Sequence, residues 1–370
     1  MNSVGHKPHI AVVSPFLDMG HGTERIVIEW ISRLCSDFDF HVYSQDVHHL
    51  DLSKITWHRI PKLRGPHLFN YLWWFAANHL WRAWHHRVRG LAYDVVFTPG
   101  VNCFDADVIS VHIVFGEFAR RVRSQLEFSR NPVWFWPRLL HRRLYYRLIG
   151  FLERRAYTSP DTTLVVIAKK TLADLDRHYH RRDSCVLVYL GLDHATYNPS
   201  RRASLRAVSR ATLNLPEARL QLLMIGNDWH KKGIRVLLET LSLLADLPID
   251  LMIVGRDKVA PFRAMVAEKN LSERVRFLPP RTDVEFYYAA ADVYVGPSLE
   301  DTFALPPVEA MACGIPAIVS RENGAYEIIA DGVDGLVLQD PTDAASLASM
   351  VRTLYNDRVL RDRIGAKGFE

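Results

Sequence analysis

Cysteine is scarce: four in 370 residues, at positions 35, 103, 185 and 313, with neither paired spacing nor metal-type clustering. That excludes a disulfide scaffold, gives no sign of structural zinc and points to a reducing compartment. Long apolar runs are also missing. The aromatic segment Phe69 to Trp84 holds Trp73, Trp74, Trp81 and Trp84 but is broken by Asn70, Asn78, His79 and Arg82, so it is too short and too polar to span a bilayer. The opening Met-Asn-Ser-Val-Gly-His-Lys contains no secretory h-region, which predicts a cytoplasmic protein. Acidic residues fall short of basic ones, 41 against 46, for a net charge of +5.

What is present is apolar and regularly spaced. A hydrophobic content of 48% over 370 residues supports globular packing in more than one core. Apolar strands recur near His9 to Ser14, Phe40 to Ser44, Tyr93 to Thr98, Asp107 to His112 and Thr162 to Ala168. A second set follows at Leu220 to Gly226, Ile249 to Gly255, Asp292 to Gly296 and Ala317 to Ser320. Helical patterns between them spell an α/β fold with two parallel sheets. Gly191-Leu-Asp193 and the arginine-rich stretch 198–214 read as a linker, placing the boundary near 195, with domains at 1–195 and 196–370.

The run Ser298-Leu-Glu-Asp-Thr-Phe-Ala-Leu-Pro-Pro-Val-Glu-Ala-Met-Ala-Cys-Gly-Ile-Pro316 sets carboxylates at both ends of an apolar turn that opens a helix. Pro306 and Pro307 suit a helix's first turn, and the amides of Phe303, Ala304 and Leu305 are expected to face a phosphate there. Asp301 and Glu309 stand eight positions apart, a spacing that lets them grip two ends of one hydroxyl-bearing ligand. The plainer reading is a helix start with an exposed acid. Upstream, the strand ending at Gly226 runs into Asn227-Asp-Trp-His-Lys-Lys-Gly233 and a helical pattern. A lysine there is a compact cation for a diphosphate, although Lys-Lys-Gly alone is usually a solvated turn. Near the N-terminus a strand leads into Pro15-Phe-Leu-Asp-Met-Gly-His-Gly22, where Gly20 and Gly22 permit close backbone approach to a ligand, or form a simple turn. His112 ends another strand, and strand C-termini in open α/β sheets border the ligand crevice.

On these motifs the chain resembles glycosyltransferase family 4, the retaining GT-B sugar transferases, over most of its length. Glu309-Ala-Met-Ala312 and Gly314-Ile-Pro316 match the family signature, while the first acid is Asp301 instead of glutamate. The resemblance implies two Rossmann-like parallel-sheet domains facing across a cleft, the N-terminal one binding acceptor and the C-terminal one binding the nucleotide sugar. It implies that Lys232, with Lys231 beside it, neutralises the departing diphosphate; that Glu309 holds the ribose; and that Asp301 and His112 contact the transferred sugar. Gly20 and Gly22, with His21 between them, would face the donor. The family's usual arginine after the strand glycine is Asn227 here, with Lys231 as the compensating charge. No metal is required, because lysine and a helix dipole carry the phosphate charge.

Residues 120–155 carry ten arginines, among them Arg138, Arg142, Arg143 and Arg147, against Glu127 and Glu153, interleaved with Trp134, Phe135, Trp136, Tyr145 and Tyr146. This composition predicts peripheral contact with an anionic membrane surface; the alternative is a packed helix with a solvated basic face. No nucleic-acid module accompanies it. Three Asp-Xaa-Asp triplets, at Asp37/Asp39, Asp105/Asp107 and Asp174/Asp176, are frequent by chance. The expected function is hexose transfer from a nucleoside diphosphate sugar, UDP favoured over GDP, to a glycan or lipid-linked hydroxyl in cell-surface polysaccharide or glycolipid synthesis. The alternatives are a GT-B sugar-nucleotide epimerase or hydrolase, and a non-catalytic membrane-associated adapter.

Overall fold

The computed structural model describes residues 7–20, 22–63, 65, 67–121 and 132–370, and the chain divides into two compact units between Tyr189 and Leu190. The first unit contains β1 (His9–Val13), β2 (Phe16–Leu17), β3 (Asp39–Ser44), β4 (Asp46–Val47), β5 (Thr56–Arg59), β6 (Val95–Pro99), β7 (Val108–Val111), β8 (Thr163–Val166) and β9 (Cys185–Leu187). Seven of these form a parallel sheet in the order β5-β3-β1-β6-β7-β8-β9, and β2 pairs with β4 alone. Helices α1 (Gly22–Leu34), α2 (His67–Arg89), α3 (Phe115–Arg121), α4 (Trp136–Tyr157) and α5 (Lys169–Tyr179) connect them. The central strands are apolar on both faces because a parallel sheet is covered on both; Ala11, Val13, Ile109, Val111, Leu164 and Val166 all lie in one buried cluster.

The second unit holds β10 (Leu220–Ile225), β11 (Ile249–Val254), β12 (Val275–Leu278), β13 (Val293–Gly296), β14 (Ala317–Ser320) and β15 (Leu336–Leu338). They form a parallel sheet in the order β12-β11-β10-β13-β14-β15. Around it lie α6 (Pro199–Thr212), α7 (Ile234–Leu243), α8 (Val259–Glu268), α9 (Glu285–Ala290), α10 (Leu305–Ala312), α11 (Ala344–Asn356) and α12 (Arg358–Phe369). The chain runs outward from β10 to β12 and then returns to β13 on the other side of β10. The loops after β10 and β13 therefore flank the point where strand order reverses, the position at which open α/β sheets hold ligands.

Two expectations are corrected. The arginine-rich stretch read as a linker is the helix α6, packed on α9. Its arginines are structural: Arg206 donates to Ala289 O at 3.2 Å and to Asp292 Oδ1 at 2.5 Å, and the 2%-exposed Arg210 donates to Ala290 O at 3.1 Å. They satisfy carbonyls left over at the end of α9. Of the polar interruptions in the Phe69 to Trp84 segment, Asn78 and Arg82 are buried, and Arg82 grips both oxygens of Asp105 at 2.6 and 2.7 Å. Finally, four edge strands, β5, β9, β12 and β15, join the sheets beyond those expected from the apolar runs.

The basic segment is only partly described, because 122–131, with Arg123, Glu127, Phe128 and Arg130, lie outside the described residues. Within α4 and the turn before it, Trp134, Trp136, Leu140, Leu144 and Phe151 are exposed, alongside Arg138, Arg142 and Arg147. Among the described residues no helix is long and apolar enough to cross a membrane.

Candidate functional site

The loop from β10 to α7 is shaped by two glycines. Gly226 has φ +150°, backbone that L side chains rarely adopt, and a Cβ there would stand 2.8 Å from Lys232 Cε. Gly233 has φ +81°, and a Cβ there would collide with the carbonyl oxygen of Pro297, on the loop after β13. The Leu299 N–H donates to Lys231 O at 2.7 Å, so the two loops are stitched along their length. Trp229, 1% exposed, locks the turn from below by donating its Nε1–H to Gly226 O at 2.9 Å and stacking on Phe277.

This stitching brings together two residues 69 positions apart: Lys232 Nζ donates to Asp301 Oδ2 in a direct ion pair, with the side chains 18% and 19% exposed. Asp301 is itself clamped, its N–H donating to Glu322 O at 3.0 Å and its carbonyl accepting from Gly324 N at 3.2 Å. The lysine and the first acid of the signature therefore share one spot at the sheet's reversal point.

Glu309 sits on the second turn of α10, 2% exposed, and Tyr288 donates its hydroxyl to Glu309 Oε2 at 2.7 Å. Burial, and then the Glu309 carboxylate, push the Tyr288 phenol well above its ordinary range. Tyr294, buried beneath the same carboxylates, is raised by burial and then by Asp301 and Glu309. Sequence reasoning missed both tyrosines. Tyr287-Tyr288 reads as ordinary core, and nothing in its local pattern signals that one ring reaches a carboxylate 21 positions on.

Two residues expected to bind the nucleotide sugar have partners within the protein. The Ala304 N–H, expected to face phosphate, donates to Asn323 Oδ1 at 3.1 Å, as does the Ala325 N–H. Asn227 Oδ1 accepts from Arg256 N at 2.8 Å, holding the loop after β11. That contact sets Asn227 beside an exposed arginine which no local motif marks. Phe303 and Ala304 are buried, and Leu305 begins α10. Lys231 is half exposed, 3.5 Å from Asp228 Oδ2.

The remaining candidates belong to the first unit. Gly20 lies in the loop after β2, its N–H donating to Asp18 Oδ1 at 2.6 Å, and Gly22 starts α1 with open space on the side where a Cβ would stand. His21 lies outside the described residues. His112 follows β7, its Nε2 2.9 Å from Ser110 Oγ, and burial pulls its basicity down to a pKa of about 4. It is therefore a neutral imidazole near pH 7. The Asp-Xaa-Asp triplets do not converge: Asp105 pairs with Arg82, Asp107 accepts from Val96 N, and Asp176 pairs with Arg182.

A family model described as glycosyl transferases group 1 matches residues 206–370. The D-inositol 3-phosphate glycosyltransferase of Thermobifida fusca (strain YX) is 30% identical over 230 residues, covering 56% of this chain and 52% of that protein. The lipopolysaccharide glucosyltransferase WaaG of Escherichia coli (strain K12) is 27% identical over 228 residues, 58% of this chain and 59% of that protein. The chain thus spans about half the length of the curated relatives it matches. Among solved structures, that of WaaG, a glycosyltransferase involved in lipopolysaccharide biosynthesis, superposes with TM-score 0.79 at 20% identity, covering 97% of this chain and 94% of that one. Anabaena Alr3699/HepE in complex with UDP-glucose gives TM-score 0.70 at 18% identity, over 98% and 93% of the two chains. The fold of the two units is that of GT-B glycosyltransferases.

Proposed function

We propose that this chain, of which residues 206–370 match the family model of group 1 glycosyltransferases, is a retaining, family 4 hexosyltransferase using a nucleoside diphosphate sugar, UDP favoured, and a glycan or lipid-linked hydroxyl acceptor in cell-surface polysaccharide or glycolipid synthesis. One observation carries the reading: Lys232 and Asp301 meet in an ion pair at the reversal point of the second unit's sheet, Asp301 standing on the loop that leads into α10 with its buried Glu309. The UDP and UDP-glucose complexes of the HepE structures support the choice of base.

In this proposal the diphosphate draws the Lys232 ammonium away from Asp301, exchanging one anion for another. Asp301, released, accepts a hydrogen bond from a sugar hydroxyl, a charge-assisted contact worth about 1.5–3 kcal/mol. Glu309, oriented by Tyr288, accepts from the ribose. Lys231, Lys232 and the amides of Phe303 and Leu305 offset charge on the leaving group as the anomeric bond lengthens, while Ala304 and Asn227 keep the loops in place. The departing phosphate takes the acceptor's proton on the same face, so no protein base is needed, and the lysine charge removes the need for a metal. His112, neutral, is our choice for a further sugar contact; Gly20 and Gly22 leave room for ligand. The exposed apolar and arginine side chains of α4 are proposed to rest on an anionic membrane from the cytoplasmic side, near a lipid-linked acceptor.

The test is donor consumption measured with and without lipid extract. Transfer predicts release of UDP that depends on the extract, with the product keeping the donor's anomeric configuration. Equal consumption without any acceptor indicates hydrolysis or epimerisation instead, and no consumption under either condition supports a non-catalytic adapter.

A further inference from the structure

At the opposite end of the first unit's sheet, strand pairing builds a cluster that no part of the transfer reaction uses. In the parallel register of β1 and β3, His9 lies beside Asp39. Along β3, Asp39 and His41 share a face because side chains alternate. Three side chains from 33 positions of sequence are thereby set around one point: His9 Nε2 is 3.7 Å and His41 Nε2 3.5 Å from the same Asp39 oxygen, Oδ2, and all three ligand atoms lie within 4.8 Å of one another.

We propose that His9, Asp39 and His41 form a binding site for a divalent late transition-metal ion, zinc by its stereochemistry, that ties the starts of β1 and β3 together.

The two distances to Asp39 fit before any adjustment. Metal–nitrogen and metal–oxygen bonds of about 2.0–2.1 Å at a tetrahedral angle place neighbouring ligand atoms roughly 3.3–3.4 Å apart. The two distances to Asp39 are within a few tenths of an ångström of that figure. They are also longer than a hydrogen bond, and His41 Nε2, though buried, makes none. Two imidazoles and one carboxylate, with a fourth position open to water, are a donor set that zinc favours over magnesium or calcium.

The support behind the ligands is of the kind metal sites use. His41 Nδ1 is 3.0 Å from His58 Nε2. In the tautomer with the His41 proton on Nδ1 and donated to His58, the lone pair of Nε2 faces the Asp39 carboxylate, the arrangement a bound cation uses. His58 is held in turn by stacking on Tyr43 at 4.5 Å and by His85 at 4.4 Å, and Tyr43 donates to or accepts from His85 Nδ1 at 2.6 Å. The cysteine pattern gave no hint of such a site because it uses no cysteine, and its ligands are adjacent only once the strands pair.

The cluster is at the N-terminal ends of β1 and β3, whereas Gly20, Gly22 and His112 follow C-terminal strand ends in the same unit. One strand of five residues, about 16 Å at roughly 3.3 Å per residue, separates the two ends. The site therefore stands independently of the proposed transfer.

The experiment uses the full chain without a histidine tag, stripped by chelator and titrated with Zn²⁺ by calorimetry and with Co²⁺ by visible absorption. The expected result is one tight equivalent of Zn²⁺, Co²⁺ bands of four-coordinate intensity, and at least a tenfold loss of affinity in His9→Gln and in Asp39→Asn, both with unchanged circular dichroism and unchanged UDP binding. The absence of a stoichiometric equivalent in the unaltered chain overturns the proposal. So does an equivalent bound with the same affinity by the double variant, which places the metal elsewhere.

Discussion

Lys232 has two anionic partners in prospect and one position from which to meet both. Its pair with Asp301 is only partly exposed, so the charge is held ready without the cost of leaving it buried alone. Removing the ammonium strands Asp301 and, on the proposed reading, leaves the diphosphate uncompensated; Lys232→Ala and Glu309→Ala are each expected to lower turnover more than tenfold with the fold intact, measured by steady-state kinetics beside circular dichroism. Tyr288→Phe deletes the hydrogen bond that aims Glu309. A bond to a carboxylate is worth about 1.5–3 kcal/mol, so donor KM is expected to rise roughly tenfold or more while a fold defect stays absent. His112 gives the acid dependence. Its folded pKa of about 4 lies below its ordinary 6.5, so between those values the unfolded chain binds the extra proton and the folded chain does not. Stability is then fully present above pH 6.5 and falls as pH drops toward 4. His58, lowered to about 4 by burial and then by His85 and His41, acts in the same direction. Thermal melts of His112→Asn between pH 7 and 4 are expected to show a shallower decline than the unaltered chain.

The loops after β10 and β13 act as one piece, and Gly233 is where they touch. Its left-handed backbone costs an L side chain about 1–2 kcal/mol before any clash, and the Pro297 carbonyl adds one. Gly233→Ala is expected to lower the melting temperature by several degrees and to abolish UDP binding together, because the same displacement moves Lys232. Loss of neither in a thermal-shift assay refutes the coupling. The elements that carry this site were legible in the sequence. Central strands such as β10, β11 and β13 are covered on both faces and read as continuous apolar runs. The four unread strands of the two large sheets, β5, β9, β12 and β15, are the outer strands of those sheets, half covered and correspondingly mixed, as in Thr-Trp-His-Arg59 and Val-Arg-Phe-Leu278. The arginines of α6 read as linker because their carbonyl and Asp292 partners lie about 80 positions away. The same limit hid Tyr288 behind Glu309 and Asn323 behind the Ala304 amide: local pattern reports which face is buried, and long-range pairing decides what a buried polar group touches.

The two units carry different surfaces. The second carries the match to group 1 glycosyltransferases and the Lys232, Asp301 and Glu309 cluster. The first carries the exposed tryptophans and arginines of α4 and the turn before it. If these rest on lipid, sedimentation with vesicles containing anionic phospholipid should retain the chain at low salt and release it as salt rises past a Debye length of about 8 Å, with Trp134→Ser and Trp136→Ser weakening retention severalfold; equal retention on neutral vesicles contradicts an electrostatic component. Everything proposed for catalysis rests on a diphosphate held by Lys232. The direct measurement is calorimetric titration of UDP and UMP into the unaltered chain and into Lys232→Ala. The expected result is a preference for UDP over UMP that the variant loses, about tenfold or more in affinity. An unchanged preference for the second phosphate in Lys232→Ala contradicts the assignment.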